Sequence, residues 1–342
     1  MSDTAATASP AEVERAAELL VEGGLVAFPT ETVYGLGAWV LDEVAVARVF
    51  AVKGRPADHP LIVHVGHAGE LGRWASAVPD VAGRLAAAFW PGPLTLLLPR
   101  SPDLPAIVTG GRPGVGLRVP AHPLALALLA ALDRLRPGDA AIAAPSANRF
   151  GRVSPTTAEH VRADLGGDVD LVLDGGPCAV GVESTIVDLT GARPAVLRLG
   201  GIEVEHLADV LGEWPVVESD RPDEGPAGGA RAPGMLAAHY APRAQVVLVD
   251  APGDPASDVA RAVEPFLRGG QRVAVLAPGP IAGLDPEAIE LEPVGPPGDY
   301  AHALYDRLRQ ADRLGVDAIV AVLPPRGGLG DTVRDRLRRA SA

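Results

Sequence analysis

The chain has 342 residues, 47% of them hydrophobic and 21% charged, with a formal net charge of −13. That is enough for about two globular domains, too apolar for disorder, and without the basic surplus of a dedicated nucleic-acid binder. Cys178 is the only cysteine, which excludes internal disulfides and cysteine-based zinc sites and fits a reducing cytoplasm.

In chain order, Ser9-Pro10-Ala11-Glu12 is a capping box with proline at the first helical position, predicting a helix to about residue 22. A short apolar strand follows at 25–28, stopped by Pro29, and Asp42 caps a second helix. Strands are predicted at 61–65, 94–98, 116–119, 140–144, 171–174, 185–189 and 196–199, and helices at 78–88, 123–135 and 157–165. Many short strands with few regular βαβ intervals point to a mixed α+β twisted sheet and not a doubly wound parallel one. Within 222–234, ten of thirteen residues are Pro, Gly or Ala, the composition of a linker. Beyond it, alternating strands (245–249, 272–277, 289–292, 318–323) and helices (257–268, 300–314, 332–340) predict a smaller Rossmann-like α/β unit. The expected division is 1–210, a linker at 211–242, and 243–342. The longest apolar run, 124–132, is far shorter than the ~20 residues that span a bilayer. No basic region precedes an apolar stretch at the N-terminus, so neither a membrane span nor a signal peptide is expected.

Four polar islands stand at strand ends, where small-molecule sites form. Thr30-Glu31-Thr32 offers hydroxyls and backbone donors, or an ordinary turn with a capping threonine. Lys53-Gly54-Arg55-Pro56, followed by His59 and His64, suits polyphosphate oxygens or is a solvated basic turn. Pro145-Ser146-Ala147-Asn148, with Ser154 close behind, can bind a carboxylate or ribose, and Ser154 also reads as a cap for the next helix. Glu183-Ser184-Thr185 precedes Arg198. Lys53 is the only lysine and Asn148 the only asparagine, against 29 arginines. Codon usage of a GC-rich genome explains the scarcity, yet a Walker A loop is excluded because Lys53 is followed by glycine. His59, His64 and His67 do not share one strand face, so no metal site is expected. Cys178 has no evident activating base and reads as a buried inert thiol. The sum is a pocket with Lys53, Arg55, Arg118 and Arg198 as cations and no strong nucleophile. Such a site suits transfer at a phosphate with a substrate-borne nucleophile.

Seven segments in order resemble the YrdC-like domain of the threonylcarbamoyl-AMP synthase family. They are Gly24-Leu-Val-Ala-Phe-Pro-Thr-Glu-Thr-Val-Tyr-Gly-Leu-Gly37, Lys53-Gly-Arg-Pro56, His59-Pro-Leu61, Trp90-Pro-Gly-Pro-Leu-Thr95, Pro145-Ser-Ala-Asn148, Ser154-Pro-Thr156 and Gly181-Val-Glu-Ser-Thr-Ile186. Pro233-Gly-Met235, His239-Tyr-Ala-Pro242 and the stretch from Gly328 to Ala340 resemble the long, two-domain form.

The resemblance implies a nucleotidyltransferase that makes threonylcarbamoyl-adenylate and pyrophosphate from L-threonine, bicarbonate and ATP. A partner transferase would then modify a tRNA adenosine next to the anticodon. It implies threonine contacts from Thr32, His64, Arg118, Ser184 and the Ala144 backbone. Around ATP it implies Lys53, Arg55, His59, Ser146, Asn148, Ser154 and Arg198, with Lys53 and Arg55 as catalytic cations. Mg²⁺ would arrive on the phosphates and not in a protein cage. Where the family carries a nucleotide-covering Lys-Tyr-Arg in the linker, this chain has Leu236, Ala237 and Ala238. Ala237 therefore stands at an ATP-side position without the aromatic ring, which predicts weaker nucleotide retention. An RNA-binding module, or at least weak RNA contact, and a carbamoyltransferase with another acceptor are the alternatives. The acidic charge weighs against the first, and the single cysteine excludes the zinc fingers that accompany the second.

Overall fold

The computed structural model describes residues 8–218, 232–234, 239–251 and 253–342. The chain divides into two compact units, one of Met1–Phe150 with Ser154–Leu236 and one of Gly151–Val153 with Ala237–Ala342.

In the first unit, ten strands form one mixed sheet: β1 (Val26–Phe28), β2 (Gly35–Trp39), β3 (Ile62–His64), β4 (Leu94–Pro99), β5 (Gly114–Arg118), β6 (Ile142–Ala143), β7 (Leu171–Val172), β8 (Thr185–Asp188), β9 (Ala195–Arg198) and β10 (Val216–Val217). Their order is β10-β9-β8-β4-β5-β3-β6-β2-β1-β7. Around it lie α1 (Pro10–Val21), α2 (Glu43–Lys53), α3 (Leu71–Trp74), α4 (Asp80–Phe89), α5 (Pro123–Leu135), α6 (Ala158–Leu165) and α7 (Val204–Leu211). The Ser9 capping box opens α1, and Asp42 accepts from the Val44 and Ala45 amides at the start of α2.

The two faces of this sheet differ. Because strand side chains alternate, Ala27, Val63, Leu117 and Ala143 point to one face, where they join a large apolar core with Val46, Val49 and Leu85 from α2 and α4. On the other face, Val26, Phe28, Ile142 and Ala144 are packed by α1 and α5 through Leu20, Leu124 and Leu128. Beyond those helices the same face carries Ile62, His64 and Arg118.

Two departures from the sequence reading have physical causes. No strand is predicted between 29 and 60, yet Gly35 begins strand β2. A Cβ on Gly37 would lie 2.7 Å from Ile142 and 2.9 Å from Phe28, so glycine there permits close packing and does not mark a turn. β10 pairs parallel with β9, adding a strand inside the segment read as linker. The heart of that segment lies outside the described residues.

The second unit is a four-stranded parallel sheet, β11 (Gln245–Val249), β12 (Val273–Leu276), β13 (Ile289–Glu290) and β14 (Ala318–Val322), in the order β11-β14-β12-β13. Helices α8 (Ala256–Arg268), α9 (Pro297–Leu314) and α10 (Leu329–Ala340) complete it. Val273, Val275 and Val320 pack against Val259 and Val263 of α8. Ala274, Ile319 and Ala321, on the opposite face, are also fully buried, as the continuous apolar runs of parallel strands require. The mixed sheet and the smaller parallel sheet together match the expected fold class.

Candidate functional site

Pro29 has no N–H and ends β1. The loop that follows is stitched by hydroxyls: Thr30 Oγ1 accepts from the Thr32 and Val33 amides, both at 3.2 Å, and lies 2.8 Å from Thr32 Oγ1. This turn buries Thr32 completely and directs Glu31 inward. Arg118 Nη2 donates to Glu31 Oε1 over 2.6 Å, and the Ala121 amide donates to Glu31 Oε2 over 2.9 Å. Arg118 Nε takes the Gly92 carbonyl at 3.3 Å. Its Nη1 makes no hydrogen bond among the described residues.

His64 ends β3 and stands in register with Arg118 of the parallel β5. Its ring meets Phe28 edge-on at 5.7 Å, and its Nδ1 is buried without a hydrogen-bond partner. Burial, helped by the Arg118 charge, presses its pKa down to about 3, so the imidazole is neutral at physiological pH.

Ser184 sits just before β8. Its hydroxyl is 2.7 Å from Thr95 Oγ1, and Arg198 Nη2 donates to both its carbonyl (2.9 Å) and its hydroxyl (3.0 Å). Arg198 Nη1 reaches the Pro233 carbonyl at 2.9 Å. Ser154 donates to the neighbouring Glu183 over 2.7 Å. Thr157, not Ser154, caps α6, which corrects the capping role read for Ser154.

Gly54 takes a left-handed φ of 64° and ends α2, turning the chain between Lys53 and Arg55. Lys53 is 3% and Arg55 8% exposed, which overturns the solvated-basic-turn reading. The Lys53 amine donates to the carbonyls of Ser146 and Asn148. Desolvation, with Arg55 adding repulsion, holds its pKa well below the usual lysine value. Arg55 donates to the Pro60 carbonyl at 3.0 Å and lies 5.8 Å from the centre of Phe150, whose ring also meets His59.

These clusters are tied together by backbone. Tyr34 donates to Pro155 O and accepts from Ala147 N, Leu36 donates to Pro145 O, and Val180 donates to Glu31 O. The first island and the strand after it are thus bonded to the third island and next to the fourth, and Lys53 ties the second island to the third. Ala144 lines this region, though its amide is spent on Ile62 O at 2.9 Å. Ala237 lies outside the described residues. Glu31, Thr95 and Glu183 bind predicted site residues directly, yet each was read only as part of a motif.

Burial pushes the Cys178 thiol pKa up, so it is no nucleophile at neutral pH. Among the described residues no group of three or more His, Cys, Asp or Glu is placed to hold a metal ion, and no helix is long and apolar enough to cross a membrane.

Residues 18–200 match the family model described as "Telomere recombination", and residues 202–342 match "Threonylcarbamoyl-AMP synthase, C-terminal domain". The chain is 44% identical over 335 residues to the threonylcarbamoyl-AMP synthase of Pyrococcus abyssi, covering 96% of this chain and 94% of the relative. It is 40% identical over 352 residues to that of Bacillus subtilis, covering 100% and 96%. The crystal structure of P. abyssi Sua5 complexed with L-threonine superposes with a TM-score of 0.88 at 41% identity, over 97% of this chain and 95% of that one. With both units matched and both relatives aligned almost end to end, the chain belongs to the threonylcarbamoyl-AMP synthase family, nucleotidyltransferase enzymes, in its two-domain form.

Proposed function

We propose that the enzyme joins L-threonine, bicarbonate and ATP into threonylcarbamoyl-adenylate and pyrophosphate. The product then serves a transferase that modifies a tRNA adenosine next to the anticodon, in the cytoplasm. The observation that carries this reading is a first unit with four buried basic side chains, Lys53, Arg55, Arg118 and Arg198, and a thiol held protonated by burial. Charge is neutralised by the protein and the nucleophile belongs to the substrates.

The threonine amine adds to the carbon of carbon dioxide, formed from bicarbonate with loss of water, to give a carbamate. A carbamate oxygen attacks the α-phosphorus of ATP, and pyrophosphate leaves. Arg118 receives the threonine carboxylate through its Nη1 edge while Glu31 and Gly92 O fix the guanidinium plane. His64, neutral, adds no second positive charge beside the amine. Thr32 and Ser184 supply hydroxyls, with the Ala144 backbone beside them. Lys53, Arg55, His59, Ser146, Asn148, Ser154 and Arg198 surround ATP. Mg²⁺ would arrive on the phosphates of ATP and not in a protein cage. The P. abyssi relative solved with L-threonine supports the amino-acid assignment.

ATP–pyrophosphate exchange tests the reading. Exchange should require both L-threonine and bicarbonate. Exchange with ATP alone, or none with all three present, contradicts it.

A further inference from the structure

The second unit carries a cleft outside the synthetic machinery. β11, β14 and β12 run parallel, so their C-terminal ends share one edge, the edge where open α/β sheets bind ligands. There a cavity of about 730 Å³ is walled by Ala277, Ile281, Val322 and five prolines, with Asp250, Arg326 and Arg334 as its charged side chains. Small-molecule sites span roughly 300–1,000 Å³, with mostly apolar walls and few polar groups.

The polar groups are arranged in a definite way. Arg334 of α10 is 3% exposed. Its Nη1 donates to Pro324 O over 2.8 Å, its Nη2 binds Asp250, and its Nε is buried with no partner. That contact anchors Asp250 while leaving 55% of the aspartate side chain exposed, and the guanidinium keeps the carboxylate ionised. Arg326 is exposed beside it. The cleft therefore presents one accessible carboxylate and one accessible guanidinium with apolar walls. Its prolines add rigid ring faces and no N–H donors. Asp250, Arg326 and Arg334 sum to one positive charge, which falls short of a phosphomonoester's charge of about −1.5 to −2 by less than it falls short of a triphosphate's.

We propose that this cleft binds a nucleoside monophosphate. The base lies against the aliphatic and proline walls, the ribose hydroxyls donate to Asp250, and the phosphate pairs with Arg326. The site is independent of the assignment of the catalytic residues.

The test is amide hydrogen exchange on the full-length chain with AMP, adenosine and inorganic phosphate as separate probes. AMP should slow exchange at 277–281 and 322–328, with adenosine and phosphate each much weaker. Arg326→Glu, a surface change, should raise the AMP concentration for half-protection by roughly tenfold or more. Ile281→Trp, which fills the cleft, should abolish protection. Both variants should make the adenylate at the wild-type rate. If Ile281→Trp fails to fold, Arg326→Glu decides the matter. No protection at millimolar AMP, equal protection by adenosine, or unchanged AMP protection in Arg326→Glu each overturns the proposal.

Discussion

Arg118 and Glu31 form a buried ion pair, 2.6 Å between Nη2 and Oε1 with side chains 4% and 10% exposed, that joins the end of β5 to the loop after β1. Removing one partner of such a pair leaves an uncompensated charge and costs about 3–5 kcal/mol. Glu31→Gln should therefore lower the melting temperature. L-threonine, whose carboxylate restores the missing negative charge, should raise that temperature more in the variant than in the wild type. Thermal melts with and without threonine check this, and an equal or smaller shift in the variant contradicts Arg118 as the carboxylate receptor.

The Lys53 amine donates to two buried carbonyls, those of Ser146 and Asn148. With its pKa held well below the usual value, the free enzyme binds fewer protons here than an exposed lysine would. A polyphosphate beside the amine favours the charged form, so ATP binding should take up a proton. Calorimetric titrations in buffers of different ionisation enthalpy measure it. Lys53→Arg, always charged and planar, should abolish the uptake and slow synthesis. Buffer-independent heats in the wild type would count against the assignment.

His64 also gives a pH signature. The native imidazole titrates near 3 against an ordinary 6.5, so the unfolded chain takes up that proton first as pH falls. The native state's advantage is full above pH 6.5 and is lost progressively as pH drops toward 3. His64→Phe should lose less stability over that interval in denaturant unfolding. Parallel pH curves for the two proteins would remove His64 as the cause.

Gly200 shows how the fold holds Ser184 in place. A Cβ there would lie 2.3 Å from Thr185 N and 2.4 Å from Glu183 O, both backbone atoms. Overpacking of this kind costs about 1–3 kcal/mol. Gly200→Ala should therefore lower the denaturant midpoint and displace Ser184, cutting activity as well. Wild-type stability and activity in this variant would contradict the packing account.

The local features of the site were legible because local chemistry encodes them. The Ser9 and Asp42 caps, the strand ends and the cation-rich turn at Lys53 all follow from neighbouring residues. What stayed hidden depends on distance in the chain. Glu31 meets Arg118 across 87 residues, Ser184 meets Thr95 across 89, and Ser154 meets Glu183 across 29. Nothing beside Ser154 tells a cap from a long-range donor. β2 was hidden for another reason, since Gly35 and Gly37 are poor strand formers whose value lies in what packs against them. In the second unit the alternation of strands and helices was plain, but the cleft at its strand ends arises only when β11, β12 and β14 are brought side by side.

The most direct measurement is mass-spectrometric detection of the product from purified protein with ATP, bicarbonate and L-threonine, alongside L-serine in its place. The proposed function predicts threonylcarbamoyl-adenylate with threonine and far less adenylate with serine. A folded protein that forms no threonylcarbamoyl-adenylate would contradict it.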